Sequence, residues 1–423
     1  MNEDKSLKVG SAKEKLLFPK DFFPVENFSY IHDDLYVRVL YLEANQPFIL
    51  LSFELTSLRE YVIEELKKRI SKQTDIPFKN IWICVTHTFS APHSRSVDAL
   101  EKGDLTIKQK NKVFCDILYS SAKKAVTLAI QQKQIVYVGF GHGFCSVNVN
   151  RDISTKDGWW LGANDLGISD KSVPIIKFEN KQHHTIALLY SYDVQSSIME
   201  GSLQKDGRYA VTSDLTGVTS QYIESQYDDC VAMYIVGAAG DQAPLFQAKH
   251  HIIDKEGQIQ VTDIHEDGFV FVKALGTKLA TQVIRACERI KTVPYMGKIQ
   301  NIQTQFICPG QKIRDRQELK PTHHYNYLND QDQMVGVEII QFGYIVIVGV
   351  QPELSSVTAM DIRKQSPFPI TMILTMVNGG AKYMPDQTSY DRITYEAMNS
   401  KFAKGSAEML TEQIVKTLEN IKI

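Results

Sequence analysis

The sequence predicts an α/β protein: a layered domain of mixed, largely buried β-sheets flanked by helices. Short runs rich in Ile and Val, such as IWICVT, CVAMYIV and YIVIVGV, stay apolar at successive positions, as strands covered on both faces must. Longer segments between them repeat apolar residues at helical spacing. The chain has 423 residues, 43% hydrophobic and 23% charged, more than the roughly 250–300 that one core usually serves. One large layered domain, or two fused lobes, is therefore expected, and no repeat, low-complexity tract or Pro/Gly/Ser linker marks an internal boundary.

The elements follow in order. Residues 59–70, REYVIEELKKRI, predict a helix that Asp75-Ile76-Pro77 breaks. IWICVT is a strand, 107–131 a long amphipathic helix, and IVYVGF, TIALLYSY and CVAMYIV are strands. Residues 269–290 read as helix, YIVIVGV and TMILTMV as strands, and 406–421 as a closing amphipathic helix. Residues 308–333, polar and rich in His and Asp, read as a long excursion of the kind that forms binding lids.

Charge and composition narrow the function. A formal net charge of −2 supplies no basic field for a nucleic-acid backbone or anionic lipid. The charged opening MNEDKSLKVGSAKEK lacks a signal-peptide core, and no apolar run approaches the roughly 18 residues of a membrane span. A soluble, cytoplasmic protein without stable membrane insertion is expected. The six cysteines are scattered, with no Cys-x-x-Cys pair, as buried apolar residues of a reducing compartment would be.

Chemistry gathers where the strands end. IWICVT runs into His87, TIALLYSY into Asp193, CVAMYIV into GAAGDQAP, YIVIVGV into Gln351-Pro352-Glu353, and TMILTMV into NGGAKY with Tyr383. In open α/β sheets ligands collect beyond the carboxyl ends of strands, where lateral pairing stops and side chains converge. An imidazole, two carboxylates and a phenol form a nitrogen and oxygen ligand set for a divalent cation. Each residue also has a plain structural reading: His87 as a hydrogen-bonded core histidine, Glu353 as a helix N-terminal acid, Tyr383 as packing. With no His-Glu-x-x-His in the chain, such a site must be assembled from distant segments.

At these residues the chain resembles the catalytic domain of the neutral/alkaline, non-lysosomal ceramidase family. LKVGSAKEKLLFP is similar to that family's opening Val-Gly-Ala strand, and DDLYVRVLYLEANQPFILLSFEL to its Asp-x-Leu-Tyr-x-Arg stretch, with Glu54 where Asp is usual. THTFSAP resembles Thr-His-Thr-His-Ser-Gly/Ala-Pro, NVNRD resembles Asn-x-Asn-Arg, YDVQSS falls at Val-His-x-Thr-Ser, and GAAGDQAP at Gly-Asp-x-Ser/Asn-Pro. QPELSS resembles Pro-x-Glu-Phe, and NGGAKYMPDQTSYDRITYE the closing tyrosine-rich motif. The resemblance implies zinc; the extra anion of Asp193 would favour a harder ion, so manganese or magnesium are the other divalent choices. It implies His87, Asp193 in place of a second histidine, Glu353 and Tyr383 as ligands, and Arg151 and Tyr395 lining the pocket to steady the substrate or its oxyanion. Three departures stand out: Phe89 for the second histidine of the Thr-His-Thr-His signature, Ala243 for Ser/Asn, and Asp193 itself, which would add negative charge at the metal. The family's secreted members carry a C-terminal immunoglobulin-like domain that this 423-residue chain is expected to lack.

The expected reaction is hydrolysis of an amide, or ester, by a metal-activated water. The substrate would be a small soluble molecule, or a lipid-like amide, rather than a lipid presented at a membrane. Asp241 and His93 are the candidate general bases, His93 also as a substitute imidazole, while Asp241 in its glycine-flanked turn reads equally as an Asx-turn residue. Serine catalysis is disfavoured without a Gly-x-Ser-x-Gly elbow, and Ser90 reads as a turn or ligand-orienting hydroxyl. The competing reading is a non-catalytic member of the same fold that binds a small ligand, supported by Phe89, Ala243 and Asp193.

Overall fold

The structure, a computed structural model, describes residues 6–421. Among them the largest sheet has nine strands, ordered Val231–Val236, Thr185–Tyr192, Ser172–Asn180, Gln134–Phe144, Lys8–Lys15, Tyr36–Glu43, Pro47–Phe53 and Ile81–Val85, with Val293–Pro294 pairing to Gln134–Phe144. The outermost pair at each end is parallel and the pairs between are antiparallel. Side-chain hydroxyls tie its two halves: Ser11 donates to the Ile186 carbonyl (2.9 Å) and Ser52 to that of Tyr234 (2.6 Å).

Strand alternation builds the layers. Ile49, Leu51 and Phe53, Ile81, Ile83 and Val85, and Leu188 and Tyr190 face one core, which they share with the helices Glu60–Thr74, Leu105–Gln131, Asp214–Glu224 and Gly268–Cys287. The residues between them, Phe48, Leu50, Trp82, Cys84, Ala187 and Leu189, face a second core. Across it stands a four-stranded sheet ordered Ile299–Gln311, Asn329–Phe342, Ile345–Val350 and Ile370–Leu374. This sheet gives Ile345 and Ile347 to the shared core, while Val346, Val348 and Val350 turn to a third, closed by the helices Ser356–Gln365 and Ser406–Ile421. The result is helices, sheet, sheet, helices. Strands such as Pro47–Phe53, Ile81–Val85, Val231–Val236 and Ile345–Val350 are covered on both faces, which is why they read as unbroken apolar runs; each aliphatic side chain so buried contributes about 1.5–3 kcal/mol relative to exposure.

Local signals set the boundaries. The long helix begins at Leu105, earlier than its apolar pattern implies, because Asp104 accepts from the Ile107 amide (2.8 Å) and caps it. The helix Glu60–Thr74 ends where Asp75 turns left-handed, φ 59°. The polar excursion expected over 308–333 is shorter: paired strands extend to Gln311 and resume at Asn329, leaving 312–328 between them. The strand residues 329–333 that follow it are mostly solvent-facing, and their polar composition imitates a loop. All six cysteines are free and buried, and among the described residues no helix is long and apolar enough to cross a membrane.

One charged group lies inside the first core. Arg38 is 2% exposed and grips two buried carboxylates, donating to Glu54 and, through Nε, to Glu224 Oε1 at 2.7 Å. Lys13 completes the cluster at 2.7 Å from Glu224.

Candidate active site

The Ile81–Val85 strand ends two residues before His87, whose left-handed backbone (φ 58°) turns the chain at the rim between the two sheets. His87 is buried, and its Nδ1 lies 2.7 Å from the Thr56 carbonyl. A carbonyl can only accept, so Nδ1 carries a proton and Nε2 is the nitrogen free for other work. Nε2 lies 3.0 Å from Oε2 of Glu353, which comes just past the Ile345–Val350 strand of the four-stranded sheet. Glu353 is in register with Tyr383 in a two-residue parallel pairing, which sets carboxylate and phenol side by side.

Gln195 closes the group. Its amide nitrogen donates to Glu353 Oε2 (3.3 Å) and to the Ala239 carbonyl (3.2 Å), and its oxygen accepts from Arg151 Nη1 (2.8 Å). Arg151, from the strand Asn148–Thr155, donates through Nε to Glu396 (2.6 Å), and its guanidinium carbon stands 5.2 Å from the Tyr383 ring centroid and 6.0 Å from that of Tyr395. The Tyr395 hydroxyl accepts from the Asn399 amide (3.1 Å).

Burial disfavours charge throughout, so partners decide which groups keep theirs. Burial alone lowers the His87 pKa, but Glu353 outweighs it and holds the imidazole above its usual value. Burial likewise opposes the Arg151 charge, and Glu396 more than restores it. The Tyr383 phenol is pushed up by burial and then by Glu353, so it stays protonated. Asp152, beside Arg151 in the chain, is raised well above the carboxylate range by burial and by the neighbouring Glu396.

The structure therefore brings His87, Glu353, Tyr383, Arg151 and Tyr395 together. It places Asp193 elsewhere. The Asp193 carboxylate accepts from the Ala238 amide (2.8 Å) and the Ser356 hydroxyl (3.1 Å), and burial raises its pKa to about 7. A tight turn, Val194 N–H to the Tyr192 carbonyl (2.9 Å), carries Gln195 to the place assigned to Asp193. His93 is also elsewhere: its Nδ1 lies 2.7 Å from Glu26, and it lines a separate cavity of about 200 Å³ with Phe22 and Phe114. Asp241 accepts from the Ser356 amide (2.8 Å) and Asn150 (3.1 Å), and its carbonyl receives the Arg151 amide (2.9 Å), so it anchors the strand that presents Arg151. Phe89 packs edge-on against His87, ring centroids 4.7 Å apart.

Gln195, Glu396, Glu200 and Arg316 are the residues that sequence reasoning missed. Glu396 directly follows Tyr395 in the closing motif; Gln195 carries a carboxamide, which is neither an acid nor an imidazole and so gives no ligand signal in the sequence. A cleft of about 700 Å³ opens from Arg151 and Gln195, lined also by Glu200, Arg316 and the apolar Leu161 and Phe246. Among the described residues no group of three or more His, Cys, Asp and Glu side chains is arranged to hold a metal ion.

The loop after Val236 fits closely. A Cβ on Gly237 would stand 2.2 Å from Asp193 Oδ1, against a side chain fixed by two hydrogen bonds. Gly237→Ala should therefore cost about 1–3 kcal/mol in denaturant unfolding, and a cost below ~0.5 kcal/mol would show that the loop shifts freely.

No protein-family model matches the sequence, and no curated protein does. Solved structures match along nearly the whole chain. The neutral ceramidase from Pseudomonas aeruginosa superposes with a TM-score of 0.74 at 12% identity, over 97% of this chain and 73% of that one. A ceramidase complexed with C2 gives 0.75 at 11% identity, over 99% and 75%. The protein has the neutral ceramidase fold.

Proposed function

We propose that the protein is a metal-assisted hydrolase of amide, or ester, bonds, working at the floor of the cleft. One observation carries the reading: His87, Glu353 and Tyr383, up to 296 positions apart in the sequence, meet at one buried rim of a ceramidase-like fold. The donors suit a divalent cation. His87 offers Nε2 with its tautomer already fixed, and the 3.0 Å to Glu353 is close to the separation of two ligands each about 2.0–2.2 Å from one zinc. Zinc, or manganese or magnesium, held by His87, Glu353 and Tyr383 would supply a water acidified to near neutral pH.

The chain's own groups supply the rest. Arg151, kept charged by Glu396, and the Tyr395 hydroxyl stand where they can donate to a carbonyl oxygen as it gains negative charge. Glu200 is the carboxyl among the residues lining the cleft, and burial raises its pKa, so proton transfer falls to it rather than to Asp241 or His93. Gln195 fixes Arg151 and Glu353 relative to each other.

A non-catalytic binder has one observation in its favour: Gln195 is held by Arg151 and Glu353, where a second imidazole would strengthen a metal site. Metal loading separates the two. Wild-type protein saturated with zinc at ~1,000 times Kd gains about 4 kcal/mol, seen as a melting rise of several degrees that a chelator reverses. Gln195→His should tighten zinc about tenfold or more. Wild-type protein that stays metal-free and unshifted with all three metals would favour the binder.

A further inference from the structure

We propose that the cleft selects an amphipathic substrate carrying an anionic group, which Arg316 and Lys249 meet. The inference rests on the hydrolase reading for the word substrate, but its core is a statement about binding. Behind Gln195 and Arg151, which close the inner end of the cleft, Glu353 and Glu396 are buried and matched to His87 and Arg151. Two cations line the cleft itself, Arg316 beside Tyr395 and Lys249 from another segment. Both are exposed, and neither forms an ion pair among the described residues.

Lys249 crosses Gly201, a left-handed residue (φ +64°) whose missing side chain leaves room: a Cβ there would lie 3.6 Å from Lys249 Cδ and 3.8 Å from Nζ. Arg316 comes from the 312–328 excursion, in a short turn where Asp315 accepts from the Gln317 amide (3.0 Å), and its guanidinium stands 6.0 Å from the Tyr395 ring. Two separate parts of the chain thus bring unpaired positive charge to one opening, in a protein of net charge −2. His250 adds an imidazole to the same wall, and Glu200 is the opposing carboxyl.

The remaining wall is apolar. Phe246 and Phe271 pack with ring centroids 5.2 Å apart, and Phe246 stays 50% exposed. An acyl or alkyl chain buries this surface, while a carboxylate or phosphonate meets Arg316 and Lys249 through charge-assisted hydrogen bonds. N-acyl amino acids have this chemistry; neutral long-chain amides lack the anion.

The test uses ligands that cannot be hydrolysed, so that it does not depend on catalysis. Octyloxyacetate, octylphosphonate and neutral 2-octyloxyethanol are titrated calorimetrically into the full-length wild type, Arg316→Gln, Lys249→Gln and the double variant. At low salt at least one anion should bind the wild type about tenfold or more tighter than the neutral ether, and comparison of the two identifies the preferred head group. The preference should shrink in each single variant, nearly vanish in the double, and weaken with added salt while the neutral ether is unaffected. Equal binding of all three by the wild type, no binding of any, or a preference that survives the double variant would overturn the proposal. Turnover of N-octanoylglycine is measured separately: anion-selective binding without cleavage removes the hydrolase reading and leaves this one standing.

Discussion

Glu353→Gln is expected to lower kcat/KM on an amide substrate by about 10³-fold or more, some 4 kcal/mol of transition-state stabilisation, while the protein stays folded. The substitution keeps the shape and the hydrogen bonds to His87 and Gln195 but removes the negative charge that this floor presents. A cation held there loses its anionic ligand, and the imidazole loses the partner that now outweighs its burial. The readouts are steady-state kinetics, metal content, and a melting curve to establish that the fold survives. Activity within about threefold of wild type, with metal retained, would remove Glu353 from the chemistry and with it the proposed reaction.

Arg38→Ala has the largest expected effect on stability, about 3–5 kcal/mol in denaturant unfolding. Glu54 is 0% exposed, and the Glu224 side chain 4%. Removing the guanidinium strands both acids: Glu54 keeps only the Tyr36 amide (2.8 Å), and Glu224 keeps Lys13 and the Ala232 amide (3.1 Å). A triple replacement, Arg38→Met with Glu54→Leu and Glu224→Leu, should recover most of the loss, because the cost lies in uncompensated charge rather than in missing attraction. A single variant that loses less than ~1 kcal/mol would mean that water reaches the two carboxylates.

The fold class was readable because strands buried on both faces leave unbroken Ile and Val runs, and the long helices between them keep a 3.6-residue period. The layering was not. When both alternating faces are apolar, nothing in Pro47–Phe53 or Ile345–Val350 says which face meets a helix and which the other sheet. At the site, His87, Glu353 and Tyr383 stood out as abrupt polar exits from apolar runs. Asp193 had the same signature, and only the turn at Val194 decides that Gln195 enters instead. His93 is close to His87 in sequence, yet Glu26 binds it on another surface. Glu200 and Arg316 lie in irregular segments with no period to read, and chain folding alone brings them to the cleft.

The seam between the sheets has a kinetic consequence. His87 and Gln195 lie just past strands of the nine-stranded sheet, while Glu353 and Tyr383 pair with each other just past strands of the four-stranded one, so neither sheet alone assembles the site. Such non-local closure is reached late in folding, after each sheet has paired internally. In a refolding experiment, ligand affinity should return with the slowest phase, well after the ultraviolet dichroism of the strands and helices has recovered.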